Sequence, residues 1–281
     1  MSENIEKRPD KTTVLIPVFN VETIDVTFFY ALPMATVFDA TLTFLFMGDD
    51  FAFSIFTSEV GKKSPELIEN GAVKMIHYSL SFVHMPVIEK NSEDEEAIMV
   101  IFPQMPTGKH PFVQELKFLI RAKKLRLPYM IIHRNYLNEA WQPETVIIPV
   151  GFRHTDKETA VWASYFARFN RSKIVILIAN ENDAVARRDT QLNVRFMLNL
   201  FAKFKIVPQL VSTKSSSGKL YDEAVAVAAQ IKNSLLLITS TKHYGIEHFI
   251  LGPMELRTIK NSANVPVLCV NPRKDLYVLC K

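Results

Sequence analysis

The side chains best suited to chemistry fall within one stretch, Leu235–Val270. Thr239, Ser240 and Thr241 supply three consecutive hydroxyls, Lys242, His243 and His248 supply nitrogen donors, and Gly252-Pro253 opens the segment that follows. Gathered beside a helix N-terminus, these groups could hold a phosphate or another small anion through side chains. The plainer account of the same residues is a solvated lysine and histidines, with hydroxyls that satisfy the backbone at a strand end. Thr239, Ser240, Lys242, Gly252 and Pro253 are the candidate ligand-binding residues.

Other chemistry finds little support. The seven histidines show neither H-x3-H nor HExxH spacing, and Cys269 and Cys280 form no CxxC pair, so no metal site is expected. No G-x-S-x-G sequence marks a nucleophile elbow, so no catalytic residue is assigned. The acidic run Glu93–Glu96 reads as a solvated surface rather than an acid/base pair.

Composition narrows the class further. The 281 residues are 48% hydrophobic and can bury a substantial core. No window approaches ~18 uninterrupted apolar residues, so no membrane span is expected. The polar N-terminus lacks a signal-peptide core, and two cysteines suit a reducing cytoplasm. A formal charge of +4 with no long basic block argues against nucleic acid as partner, and Lys123-Lys124-Leu125-Arg126 reads as a solvated helix end. Eight glycines leave few residues for a glycine-rich phosphate loop.

The elements that must position the candidate site come in two copies. TTVLIPV at Thr12–Val18 returns as TVIIPV at Thr145–Val150, with Pro17 and Pro149 132 residues apart by subtraction. The same offset carries Leu42 onto Ile174. Ala97–Gln104 and Pro128–Asn135 recur as Leu235–Lys242 and Pro266–Arg273, both at an offset of 138. Four apolar runs repeated in one order indicate internal duplication. The expected division is a tail at 1–11, a first unit at 12–135, a linker at 136–144, a second unit at 145–272 and a tail at 273–281.

Short apolar runs separated by helical segments predict a βαβαβαβαβ order with parallel strands. In the second unit, Thr155 and Glu158 form a capping-box pattern before an apolar face at Val161, Trp162, Tyr165, Phe166 and Phe169. Long helices are expected near 184–205 and 220–232. The first unit is less regular. Pro33 is expected to kink or shorten its first helix, and VIEKNSEDEE at Val87–Glu96 is expected to form an exposed loop. Leu276–Leu279 could add an edge strand.

The stretch Leu235–Val270 resembles the last third of a universal stress protein domain, where a G-x2-G-x9-G-[S/T] loop leaves the fourth strand and wraps the phosphates of ATP. Gly252 matches the third glycine and Pro266-Val267 the start of the fifth strand. Thr239 and Lys242 stand where the first two glycines belong, and Pro253 replaces the Ser/Thr. In the first unit Ile101 and Gln104 occupy the first two glycine positions. The family's aspartate at the end of its first strand, near adenosine, is matched by Phe19 and Gly151, so both units are expected to lack that acceptor.

The resemblance implies an α/β protein of two tandem doubly wound domains. Each would carry a five-stranded parallel sheet with flanking helices, of the adenine nucleotide alpha hydrolase-like type, and the two would pack as an intramolecular pseudo-dimer. It implies a non-enzymatic stress-response role with ATP binding lost or altered, acting through an unidentified protein partner, a further homodimer contact or a small anionic ligand. One alternative is a nucleotide-binding switch that uses the loop Thr239–Pro253 of the second unit, with no cofactor in the first. Another is an unrelated nucleotidyl-transfer or hydrolytic enzyme on the same general fold.

Overall fold

The computed structural model describes residues 12–80, 84–103, 111–132, 141–241, 253–262 and 265–272. Ten strands form one sheet: β1 Thr13–Val18, β2 Thr41–Met47, β3 Val73–Tyr78, β4 Ala97–Phe102, β5 Tyr129–Ile131, β6 Thr145–Val150, β7 Lys173–Ile178, β8 Gln209–Ser212, β9 Ser234–Thr239 and β10 Val267–Val270. Their order is β3-β2-β1-β4-β5-β10-β9-β6-β7-β8. Within each half every pairing is parallel, and the halves join where β5 meets β10 antiparallel, with Met130 opposite Leu268. The repeat is exact in register: Thr13 pairs with Thr41 as Thr145 pairs with Lys173.

The central strands are apolar from end to end because both of their faces are covered. Every residue of β1, β6, β9 and β10 is buried, which is why these segments read as continuous Val/Ile/Leu runs rather than alternating ones. One face carries α1 Ile24–Phe38, α2 Asp50–Lys63, α6 Thr159–Phe169 and α7 Ala184–Lys203. The other carries α4 Met85–Asp94, α5 Pro111–Ala122, α8 Leu220–Ala229 and α9 Met254–Asn261. A short helix, α3 Pro65–Glu69, leads into β3.

Side-chain contacts besides the β5–β10 pair also hold the halves together, among them the Lys260–Glu115 ion pair at 2.7 Å. Phe38 at the end of α1 sits edge-on to Trp162, Tyr165 and Phe166 of α6, at centroid distances of 5.9, 6.3 and 5.4 Å. Trp141 is buried, lies against Tyr30, and donates from Nε1 to the carbonyl of Ser234. The Asn271 amide, following β10, donates to the carbonyls of Ala122, Leu125 and Leu127 in the first half. The sheet and these contacts make a pseudo-dimer within one chain.

Several local expectations are corrected. α1 continues through Pro33 to Phe38, so the proline does not shorten it. A proline inside a helix costs about 3 kcal/mol, but burial of Tyr30, Ala31, Met34, Ala35 and Val37 contributes about 1.5–3 kcal/mol per large side chain and outweighs it. Val21–Phe38 is the one described stretch long and apolar enough to cross a membrane, and its apolar length is used in packing on the sheet and on α6.

The segment expected as an exposed loop is helix α4. Pro86 opens it, and Met85, Ile88, Asn91 and Ser92 are buried at helical spacing. Asn91 lies inside because its amide donates to Val87 O and to the Tyr78 hydroxyl. Thr155 makes no side-chain cap; Asp156–Glu158 is a 3-10 turn that leads into α6. The expected strand at 276–279 lies outside the described residues.

Candidate functional site

In the second half the chain winds from β6 outward to β7 and β8, then crosses back to β9 and β10. The strand order therefore reverses between β6 and β9, and the carboxyl end of that pair is where open α/β sheets hold ligands. Gly151 follows β6 and Thr239 ends β9, so both stand at this point.

A carboxylate occupies it. Gly151 was expected to leave the site without an acceptor, and this is corrected: the Gly151 N–H donates to Asp156 Oδ2 at 2.9 Å. The loop 151–155 turns back on itself and brings Asp156 under the strand ends, leaving it 1% exposed. Thr239 Oγ1 donates to Asp156 Oδ1 across a long 3.4 Å. Asn193 of α7 braces the turn by donating to the carbonyls of Gly151 and Arg153, both at 2.8 Å.

Arg153 neutralises this carboxylate. Its Nε and Nη2 both reach Asp156 Oδ1 at 3.1 Å. Nη2 also donates to the Tyr221 hydroxyl, and the guanidinium carbon lies 4.9 Å from the Tyr221 ring centre. Tyr221, at the start of α8, points its hydroxyl at the carbonyl of Thr239. Burial pushes the Asp156 carboxyl above its usual range against the pull of Arg153. Burial would lower Arg153, but Tyr221 and Asp156 beside it prevail and raise it. Tyr221 is pushed up to about 12 by burial. Arg153, Asp156, Tyr221 and Thr239 thus form a plug of mutually paired groups at the strand ends.

Beside the plug, Glu181 accepts from the Ser217 N–H at 2.9 Å and from its hydroxyl. Ser217 in turn closes on Gly151: a Cβ there would stand 2.0 Å from Ser217 Oγ and 3.3 Å from Asp156 Oδ2. Glycine is required at 151 by close packing, not by backbone conformation.

The candidate residues predicted from sequence distribute as follows. Thr239 and Ser240 are buried, with Thr239 in the plug and Ser240 Oγ donating to Asn271 Oδ1 at 2.8 Å. Pro253 is the N-cap of α9 and offers no side-chain cap. Lys242 and Gly252, with His243 and His248, lie outside the described residues. Glu255 stands in the first turn of α9, fully buried, and accepts from Thr241 N at 3.1 Å and Thr241 Oγ1 at 2.5 Å. A carboxylate already takes the donors that an anion would use there. In the first half, Ile101 is a buried strand residue and Gln104 lies outside the described residues.

Arg153, Asp156 and Tyr221 were not singled out from sequence. Asp156 lies inside the Thr155–Glu158 cap pattern, and nothing in local spacing reveals that α8 brings Tyr221 to the same place. Among the described residues, no group of three or more His, Cys, Asp and Glu side chains could hold a metal. Cys269 is buried, and burial pushes its thiol well up, so it is no nucleophile at neutral pH.

No family model matches the chain, and no curated protein matches it. Solved structures do. A universal stress protein from Archaeoglobus fulgidus DSM 4304 superimposes with a TM-score of 0.63 at 15% identity, over 94% of this chain and 100% of that one. A Pseudomonas aeruginosa UCBPP-PA14 protein assigned to the universal stress proteins gives 0.62 at 13%, over 96% and 95%. The cytoplasmic domain of a prokaryotic cation chloride cotransporter gives 0.58 at 9%, over 95% and 99%. The chain has the universal stress protein fold, in tandem. The same fold serves a transport protein, so the likeness fixes architecture and leaves function to the site.

Proposed function

We propose that this is a non-enzymatic regulatory protein of the universal stress type, cytoplasmic, in which nucleotide binding at the strand-order reversal is lost. It acts through contacts with a protein partner or through a small anionic ligand. The observation that carries this reading is the plug: Asp156, Arg153, Tyr221 and Thr239 satisfy one another in the place a nucleoside would need. Opening it would leave a buried charge without its partner, at a cost of about 3–5 kcal/mol. A ligand would have to supply that in addition to its own binding energy. With no positioned nucleophile and no metal cluster among the described residues, no bond-making step is assigned.

The alternative is a nucleotide switch at Thr239–Pro253. One observation favours it: a carboxylate does stand at the end of β6, although from a different position in the chain. The two readings separate in a thermal-shift titration of the full chain with ATP, ADP and AMP. The proposal expects no saturable rise in Tm. A saturable rise that Gly252→Arg abolishes supports the switch instead.

A further inference from the structure

On the opposite edge of the second half, at the amino ends of β6, β7 and β8, a cleft of about 710 Å³ opens between the ends of α6 and α7. Its size is that of a small-molecule site. Arg168, Arg171, Lys173 and Lys205 line it, and no carboxylate does. Among the described residues, Arg171, Lys173 and Lys205 make no ion pair, so their charge is not neutralised from within. Arg168 is held in place by two rings: its guanidinium carbon lies 4.3 Å from the centre of Phe204 and 5.2 Å from that of Phe169.

Basic residues near helix C-termini have an ordinary explanation, since they complement the helix dipole. The internal repeat tests it, because the first half has the same helix ends and the same strand starts. There the counterpart of Arg168 is Thr36, that of Arg171 is Asp39, and that of Lys173 is Thr41. Asp39 and Arg171 even share the left-handed backbone, with φ of 52° and 57°. The left-handed residue that ends the last helix before the third strand is Gly71, after α3, in the first half and Lys205, at φ 56° after α7, in the second. The fold therefore works with neutral, acidic or glycine residues at these places. Four cations stand there only in the second copy, and two of them hold a conformation that glycine adopts more easily.

We infer that this cleft binds a small polyanion carrying two or more phosphate groups. Guanidinium groups donate paired hydrogen bonds to phosphate oxygens, lysines add point charge, and Arg168 is preset by its aromatic clamp. The site is independent of the plug, which lies at the far end of the same strands.

The experiment is isothermal titration of the full chain with tripolyphosphate, and with inorganic phosphate for comparison, at about 150 mM salt, where diffuse surface attraction is largely screened. Tripolyphosphate is expected to bind saturably at one site per chain, more tightly than inorganic phosphate. Arg171→Asp and Lys205→Gly install the residues the first half carries and keep the backbone shape. Each should weaken binding about tenfold or more, with no fall in Tm for Lys205→Gly. Lys62→Glu, a charge change on α2 remote from the cleft, should leave binding unaltered. Absence of saturable binding would overturn the inference. So would binding that Lys62→Glu weakens as much as the cleft variants do, because that describes a general attraction to positive charge.

Discussion

The Gly151 backbone N–H donates to the Asp156 carboxylate at 2.9 Å, so the acidic group at the end of β6 comes from a residue five positions downstream. A side chain that arrives from downstream reaches the strand end only by folding the intervening loop beneath it. That loop brings Arg153 with it, and the carboxylate is paired before any ligand could meet it.

The pairing predicts an asymmetric mutational response. Asp156→Ala should destabilise the protein by about 3 kcal/mol, because it strands the Arg153 guanidinium and the Gly151 N–H. Adding Arg153→Met should recover part of that loss. Urea unfolding of the two variants measures both values, and equal or additive losses would contradict the pairing.

Gly151 gives a second test. Placing the resemblance's aspartate there, as Gly151→Asp, drives a Cβ into Ser217 Oγ. The variant should lose about 1–3 kcal/mol through overpacking and gain no affinity for ATP. Ser217→Gly in the same background should recover part of that loss, as read by thermal melting, because it removes the clash along with the hydroxyl that donates to Glu181.

Alkaline pH should expose the buried phenols. Tyr221 and Tyr30 are both pushed up to about 12 by burial. The folded state holds these protons more tightly than the unfolded chain, whose tyrosines ionise near 10. The stability they contribute is complete below pH ~10 and is lost as pH rises from there toward ~12. Absorbance titration should show one fewer late-ionising tyrosine in Tyr221→Phe than in the wild type.

The contacts between halves give a fourth prediction. Asn271→Ala removes the donor that the carbonyls of Ala122, Leu125 and Leu127 share and should cost about 1–3 kcal/mol. Phe38→Ala removes the aromatic contact with α6 and should cost about 2 kcal/mol, since Phe38 is only partly buried. Chemical denaturation of the full chain reads both.

Much of this architecture was legible in sequence because the signal was redundant. Four of the five strands in each half are apolar runs, each of these runs occurs twice, and the offsets of 132 and 138 align them. Local reading failed where tertiary contacts decide. Asn91 and Ser92 look like loop residues until Tyr78 and the α4 backbone supply their partners. Pro33 looks like a helix stop until the burial around it is counted. Capping rules assigned Thr155 and Glu158 a local role and so passed over Asp156 between them. The network at the candidate site joins residues 68 positions apart, Arg153 and Tyr221, and no spacing rule reports that.

The central claim, that the crevice between β6 and β9 is closed by the protein's own paired groups, is tested most directly by native mass spectrometry of the purified full chain with excess ATP. The predicted spectrum shows the unmodified chain mass and no adduct at one nucleotide per chain above the level that a control protein gives. A one-to-one ATP adduct that disappears in Asp156→Asn would contradict it, because Asp156 would then be serving a ligand and not Arg153.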